Sequence, residues 1–140
     1  MEDIYSHIIS DEILSQVFKH IVLVNKSNGA PYHHLHHCMT VTKYLNEGVD
    51  YYIDYMGKDR RSILTAGMFH DINHSMGKEN DEFNVKKAIS SFSAFYEDNI
   101  DTLETHIDKD LVCDMIKATQ YPYVIDDDDL TLYQKLIRDC

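Results

Sequence analysis

The chain has 140 residues, 44% of them hydrophobic, with a formal net charge of -11 and only 5 Gly and 2 Pro. That length suits one domain with one core, and the apolar fraction excludes a disordered tail. The negative charge excludes wrapping of nucleic acid, which needs a basic footprint. It leaves room for a small phosphorylated substrate where a bound cation reverses the local field.

Scarce Gly and Pro favour long helices. The opening MEDIYSHIISDE is acidic and lacks the basic start and apolar run of a signal peptide, and no segment is apolar enough to span a membrane. The three cysteines, Cys38, Cys113 and Cys140, form no C-x-x-C pair and are odd in number, which reads as reduced thiols in a cytoplasmic protein.

The first periodic segment covers residues 11–25, where Ile13, Leu14, Val17, Ile21, Val22 and Val24 give an apolar stripe at helical spacing. Asn28-Gly29-Ala30-Pro31 breaks it. A second helix is predicted over 33–56, with Val41, Tyr44, Leu45, Val49, Tyr52 and Ile53 inward, ended by Gly57-Lys58-Asp59. A third, over 60–70, is short and nearly all apolar and should be a core helix.

Residues 71–78 read as a loop, after which Asn80 or Asp81 caps a helix reaching residue 98. Residues 101–105 form a short turn or helix start. A further helix covers 109–119, with Leu111, Val112, Met115 and Ile116 inward, and Pro122 ends it. The acidic run 126–129 suits the N-terminus of a last helix over 130–140. The only strand candidate is the short stretch 121–125.

There are 9 histidines. Four crowd into Tyr32-His33-His34-Leu35-His36-His37, and two flank the exit of the third predicted helix in His70-Asp71-Ile72-Asn73-His74. Imidazole and carboxylate are good ligands for Zn, Mn, Fe, Co or Mg, and an Asp can bridge two ions that activate a water and clamp a phosphate. His33 and His37 stand four apart and share a helical face, so one could bind metal while the other protonates a leaving oxygen. His34 and His36 read as bystanders, and His7, His20 and His106 as non-catalytic.

Other features have plainer readings. Lys78, Arg60 and Arg61 read as solvated charges near helix ends rather than phosphate contacts. Tyr51, Tyr52 and Tyr55 read as core and rim packing. The acidic run lacks the interleaved spacing of a calcium loop.

The segment Tyr32-His33-His34-Leu35-His36-His37-Cys38-Met39-Thr40-Val41 resembles the Y-H-x-x-x-H-x-x-D-V motif of the cyclic-nucleotide phosphodiesterase branch of the HD superfamily. The stretch from His70-Asp71 through Asn80 to Phe83 resembles that branch's H-D-x-x-H-x-G-x-x-N-x-F segment, with one extra residue before Gly77. The two motifs span residues 32–85. The resemblance implies an all-α, HD-type bundle of about five to seven helices forming one domain over 1–140. It implies one or two divalent ions on His37, His70 and Asp71, with Asp71 as the bridge and His33 as the general acid. His74 and Asn80 match residues near the metals or the substrate, Phe83 one at the pocket edge, and Lys117-Ala118-Thr119 a helix end near the site.

The sequence departs from the pattern at Thr40, where that branch carries Asp, and at its end. In the register of the family's late R-D-A-D, Cys140 matches the Ala, so the position of the last ligand falls just past it. Asp139 stands one residue away, about 100° round a helix. The expectation is a metal-dependent phosphohydrolase acting on a nucleotide or cyclic nucleotide. The alternative is a catalytically incomplete HD-type domain that binds a nucleotide or a protein partner. A purely structural metal site is the third reading, with Cys38 the only thiol near the ligands.

Overall fold

The structure, a computed structural model, describes residues 4–24, 31–49, 57–73 and 79–138, with side chains from residue 35 onward in the second stretch. The described residues form eight α-helices and one 3-10 turn, and no strand: the fold is all-α. In chain order the helices are α1 (Ile4–Ile9), α2 (Glu12–Val24), α3 (Pro31–Val49), α4 (Lys58–Phe69), α5 (Asp81–Asp98), α6 (Ile100–Leu103), α7 (Lys109–Ala118) and α8 (Leu132–Arg138). None of them is long and apolar enough to cross a membrane.

The centre of the molecule is α4, and its composition explains why. Ser62 through Phe69 are all buried, so the helix has no face that water could wet and must be surrounded. It packs against α2, α3, α5 and α7. Phe69 at its end meets Phe92 and Phe95 of α5 at ring-centroid distances of 5.3 and 5.7 Å. Gly67 lets α3 approach closely: a Cβ there would lie 2.8 Å from Leu45 Cδ1 and 2.9 Å from Thr42 Oγ1.

Two arginines at the start of α4 are structural rather than solvated, which corrects the reading from sequence. Arg60 is buried and donates to Asn46 Oδ1 of α3 at 2.6 Å. Arg61 pairs with Asp11 ahead of α2 at 3.1 Å. They tie the start of α4 to two neighbouring helices, because a guanidinium drawn into a core needs fixed acceptors. Lys78 lies outside the described residues.

The helix boundaries follow local chemistry. Asn80 caps α5 by accepting from Phe83 N at 2.9 Å, and Asp108 caps α7 by accepting from Leu111 N at 3.2 Å. The last helix begins later than the acidic run suggests. Asp127–Asp129 forms a separate 3-10 turn, Leu130 is extended, and Thr131 starts α8 through a reciprocal pair. Gln134 N donates to Thr131 Oγ1 at 3.2 Å, and Thr131 N donates to Gln134 Oε1 at 2.9 Å. This T-x-x-Q capping box satisfies two orphan donors at once, which like charges ahead of the helix do not. Thr131→Ala should therefore lower stability by about 1 kcal/mol, read as a lower urea midpoint at unchanged slope.

Other departures have similar causes. The six-residue α1, with Ile4 and Ile8 buried one turn apart, is too short to show a period in sequence. Tyr44 is 55% exposed and Val22 49%, although both were expected inside. The buried stripe of α3 runs through Cys38, Val41, Thr42, Leu45 and Val49, and Tyr44 falls one residue, about 100°, off its centre. The stretch 121–125 is irregular, not a strand. Predicted helix over 50–56, with Tyr51, Tyr52, Ile53 and Tyr55, lies outside the described residues.

Candidate metal centre

The close α3–α4 contact at Gly67 determines where the candidate ligands meet. His37 lies one turn before Val41 on the flank of α3's buried stripe, and its side chain is half exposed. His70 follows the last residue of α4 and is buried, its backbone N–H donating to Ala66 O at 3.0 Å. The chain then turns: Ile72 N donates to Phe69 O, Ile72 is buried as a plug, and Asn73 adopts a φ of 52°. Asn is among the few residues that accept this left-handed backbone readily. Lys87 of α5 closes the turn by donating to Asn73 O at 3.0 Å. With Ile72 plugged inward, Asp71 is left facing the histidines.

Asp71 Oδ2 sits 3.0 Å from His37 Nε2 and 3.2 Å from His70 Nε2. One ligand atom from each of the three residues lies within 4.8 Å of the others. The ring of His70 is oriented from behind. Its Nδ1 lies 2.7 Å from Gly67 O, a carbonyl that can only accept, so Nδ1 carries a proton, while Nε2 donates to Asp71 when the ring is charged and is the nitrogen left to ligate when it is neutral. This is the backing a metal-ligating histidine uses to fix tautomer and ring angle.

The electrostatics agree. Burial pushes the Asp71 carboxyl up, but hydrogen bonds from His37 and His70, and then their charges, outweigh it and hold it well below the usual carboxylate range. For His70, burial opposes the charged form. The hydrogen bond to Asp71 and its charge, with smaller help from Gly67 O and Asp81, win and raise its pKa.

No family model, curated protein or solved structure matches the chain.

The three residues open onto a pocket of about 190 Å³. Its other walls come from elements remote in sequence: Asp81 and Asn84 of α5, Thr119 at the end of α7, Tyr123 in the following loop and Arg138 at the end of α8. Asp81 also fixes that loop by accepting from Tyr121 N. None of these residues except Thr119 was singled out as a pocket residue from sequence. Asp81 and Asn84 are three apart at the start of a capped helix and so share a face, a signal available in principle. Arg138 has no such local signal.

Of the residues expected at the site, His37, His70 and Asp71 come together. The side chain of His33, all of His74, and Asp139 lie outside the described residues, as do Gly77 and the side chain of His34. Asn80 is exposed and its side-chain oxygen caps α5, while the neighbouring Asp81 and Asn84 line the pocket. Phe83 is 46% exposed beneath the Lys87 ammonium and is not among the described lining residues.

His20 packs against Phe69 and Phe95, and burial lowers its pKa, so it belongs to the core edge. Cys38 is buried. Burial first, then the Asp71 charge, pushes its thiol up to about 12, against a smaller opposing backbone hydrogen bond from Asp71. A neutral thiol is a poor ligand, and its Sγ is not in the clustered ligand set.

Proposed function

We propose that this chain is a metal-dependent phosphohydrolase of the HD type, cleaving a phosphate ester of a nucleotide or cyclic nucleotide. The observation that carries the reading is the convergence of His37, His70 and Asp71 at the mouth of a pocket, with the His70 ring held in a ligating tautomer by Gly67 O. The motif order around these residues supports it.

The donor set suits one or two divalent ions, and two imidazoles with one carboxylate do not distinguish Zn, Mn, Mg, Fe and Co. His37, His70 and Asp71 would hold the ion, which when bound supplies positive charge for a phosphate and makes a nearby water more acidic. The chain's own part is to orient these groups. Asp71 is kept ionised by its two histidine partners, and His70 is kept in register by the Gly67 carbonyl. The half-exposed His37 leaves one side of the cluster open to the pocket. His33 is assigned the proton for the leaving oxygen on the strength of its motif position.

The test is elemental analysis of the purified chain, followed by a phosphomonoester and cyclic-nucleotide panel with Mn, Mg, Co and Zn. His70→Ala should remove both bound metal and turnover while leaving the helical circular-dichroism spectrum intact. Turnover that survives the substitution would sink the assignment.

A further inference from the structure

Arg138 is the feature of the pocket that the three candidate ligands do not explain. Its side chain is only 5% exposed, yet it carries a permanent charge. A guanidinium has five N–H donors, and three are accounted for. Nε donates to Ala118 O at 3.1 Å, and Nη1 donates to Ile125 O at 2.9 Å and to Asp127 Oδ1 at 3.1 Å. Nη2 is buried and has no hydrogen-bond partner among the described residues.

No buried carboxylate among the described residues pairs directly with this charge, although Asp71 and Asp81 line the same pocket. Its only carboxylate partner among the described residues, Asp127, is 86% exposed and belongs largely to solvent. The two backbone carbonyls and the Tyr123 ring, 4.0 Å from Cζ, hold the guanidinium in one plane. So a fixed cation with a spare edge stands in the wall of the same pocket as His37, His70 and Asp71.

A buried charged donor left unpaired is costly unless a ligand completes it. Arg60 and Arg61 are committed to Asn46 and Asp11 elsewhere. Arg138 is the one arginine or lysine among the described lining residues.

From this we infer that Arg138 is the anchor for the terminal phosphate of the substrate, with Nη2 donating to a phosphate oxygen that does not take part in bond cleavage. The inference rests on the proposed phosphohydrolase reading and specifies its substrate end. Planar donors matched to oxyanions are the usual reason for Arg rather than Lys at such a position. Solvent does not reach Nη2 in this state, so ligand entry requires the groups around that edge to shift, while the Tyr123 ring stays stacked on the guanidinium face. The pocket is small beside the roughly 300–1,000 Å³ of sites that enclose whole ligands, so it fits a phosphoryl group and leaves the rest of the ester at the rim.

The experiment separates this inference from the one it rests on, because it reads phosphate at Arg138 rather than turnover. Inorganic phosphate is titrated into the isotope-labelled full chain, both metal-free and with Mg or Zn added, with acetate at matched ionic strength as control. Phosphate should shift the Arg138 guanidinium resonances in the wild-type protein, and acetate should not. Arg138→Gln should weaken phosphate binding roughly tenfold or more, as loss of one charge-assisted hydrogen bond requires, and Arg138→Lys should recover part of it. In the metal-loaded protein, Arg138→Gln should raise KM for phenyl phosphate more than it lowers kcat.

Unmoved wild-type Arg138 resonances, or an equal response to acetate, would overturn the inference whether or not the variants fold. So would an unchanged KM in a folded Arg138→Gln that still turns over, and that result would leave the phosphohydrolase reading standing. Arg138-dependent phosphate binding in a chain that holds no metal would keep the anchor and remove the hydrolase.

Discussion

On the proposed reading, Asp71→Asn abolishes metal binding and turnover, and it should also remove one acid-sensitive contribution to the fold's stability. The substitution keeps the side chain's size but replaces a carboxylate shared by two imidazoles with a neutral amide. An amide is a much weaker ligand than a carboxylate, and among the described residues only His37 and His70 would remain of the clustered set. Elemental analysis should find no bound metal above background, and the substrate panel should show no turnover.

The pH behaviour of the metal-free protein gives a second readout. Asp71 has a depressed folded pKa, so its contribution is present above the unfolded value of about 4 and lost as pH falls through the folded one. His70 has a raised folded pKa, so its contribution is full below about 6.5 and lost as pH rises through the folded value. The pair therefore stabilises most between about pH 4 and 6.5. Asp71 is partly exposed, which places its removal between surface and buried pairs, at about 1–3 kcal/mol in that window. Urea midpoints across pH should show the wild type exceeding the variant there, with the gap closing toward pH 2. Because a ligating histidine must be deprotonated, metal affinity of the wild type should rise with pH and binding should release protons.

How much of this was legible beforehand depends on the range of the interaction. The apolar run Ile63 to Phe69 announces a surrounded helix, and α4 is the helix the others pack around. Asn80 announces a cap, and it is one. The histidine-rich start of α3 and the His70-Asp71 exit of α4 were visible as two clusters, and the motif order suggested that they converge. Of the remaining walls, Thr119 was placed near the site by the motif resemblance alone, and Asp81, Tyr123 and Arg138 were not recognised, because they are ordinary surface residue types until tertiary packing brings them together. The start of α8 misled for a different reason. Four consecutive aspartates are a strong electrostatic cue, but the reciprocal Thr131–Gln134 pair gives the helix hydrogen-bond partners, and geometry overrode charge.

Gly67→Ala tests whether the α3–α4 approach sets both the stability of the fold and the assembly of the site. Helix propensity alone favours the change, since Ala is better than Gly in a helix interior by about 1 kcal/mol. The new Cβ, however, would meet Leu45 Cδ1 at 2.8 Å, Thr42 Oγ1 at 2.9 Å and Thr42 Cα at 3.3 Å. The leucine methyl can rotate away at modest cost. The hydroxyl is held by its donation to Cys38 O at 2.7 Å, and the Cα belongs to the α3 backbone, so the helix itself must move outward. Because backbone must yield, the overpacking cost should fall in the upper part of the usual range, at about 2–3 kcal/mol, and outweigh the propensity gain for a net loss of about 1–2 kcal/mol. A Tm lower by roughly 3–8 °C is the expected reading for a chain of this length. The displacement also carries His37 away from His70, so metal affinity should fall even in molecules that remain folded. Leu45→Val in the same chain removes one of the three clashes and should restore part of the Tm. A Gly67→Ala protein as stable as the wild type, with unchanged metal affinity, would show that the helices can separate there freely and that the site is positioned by something other than this contact.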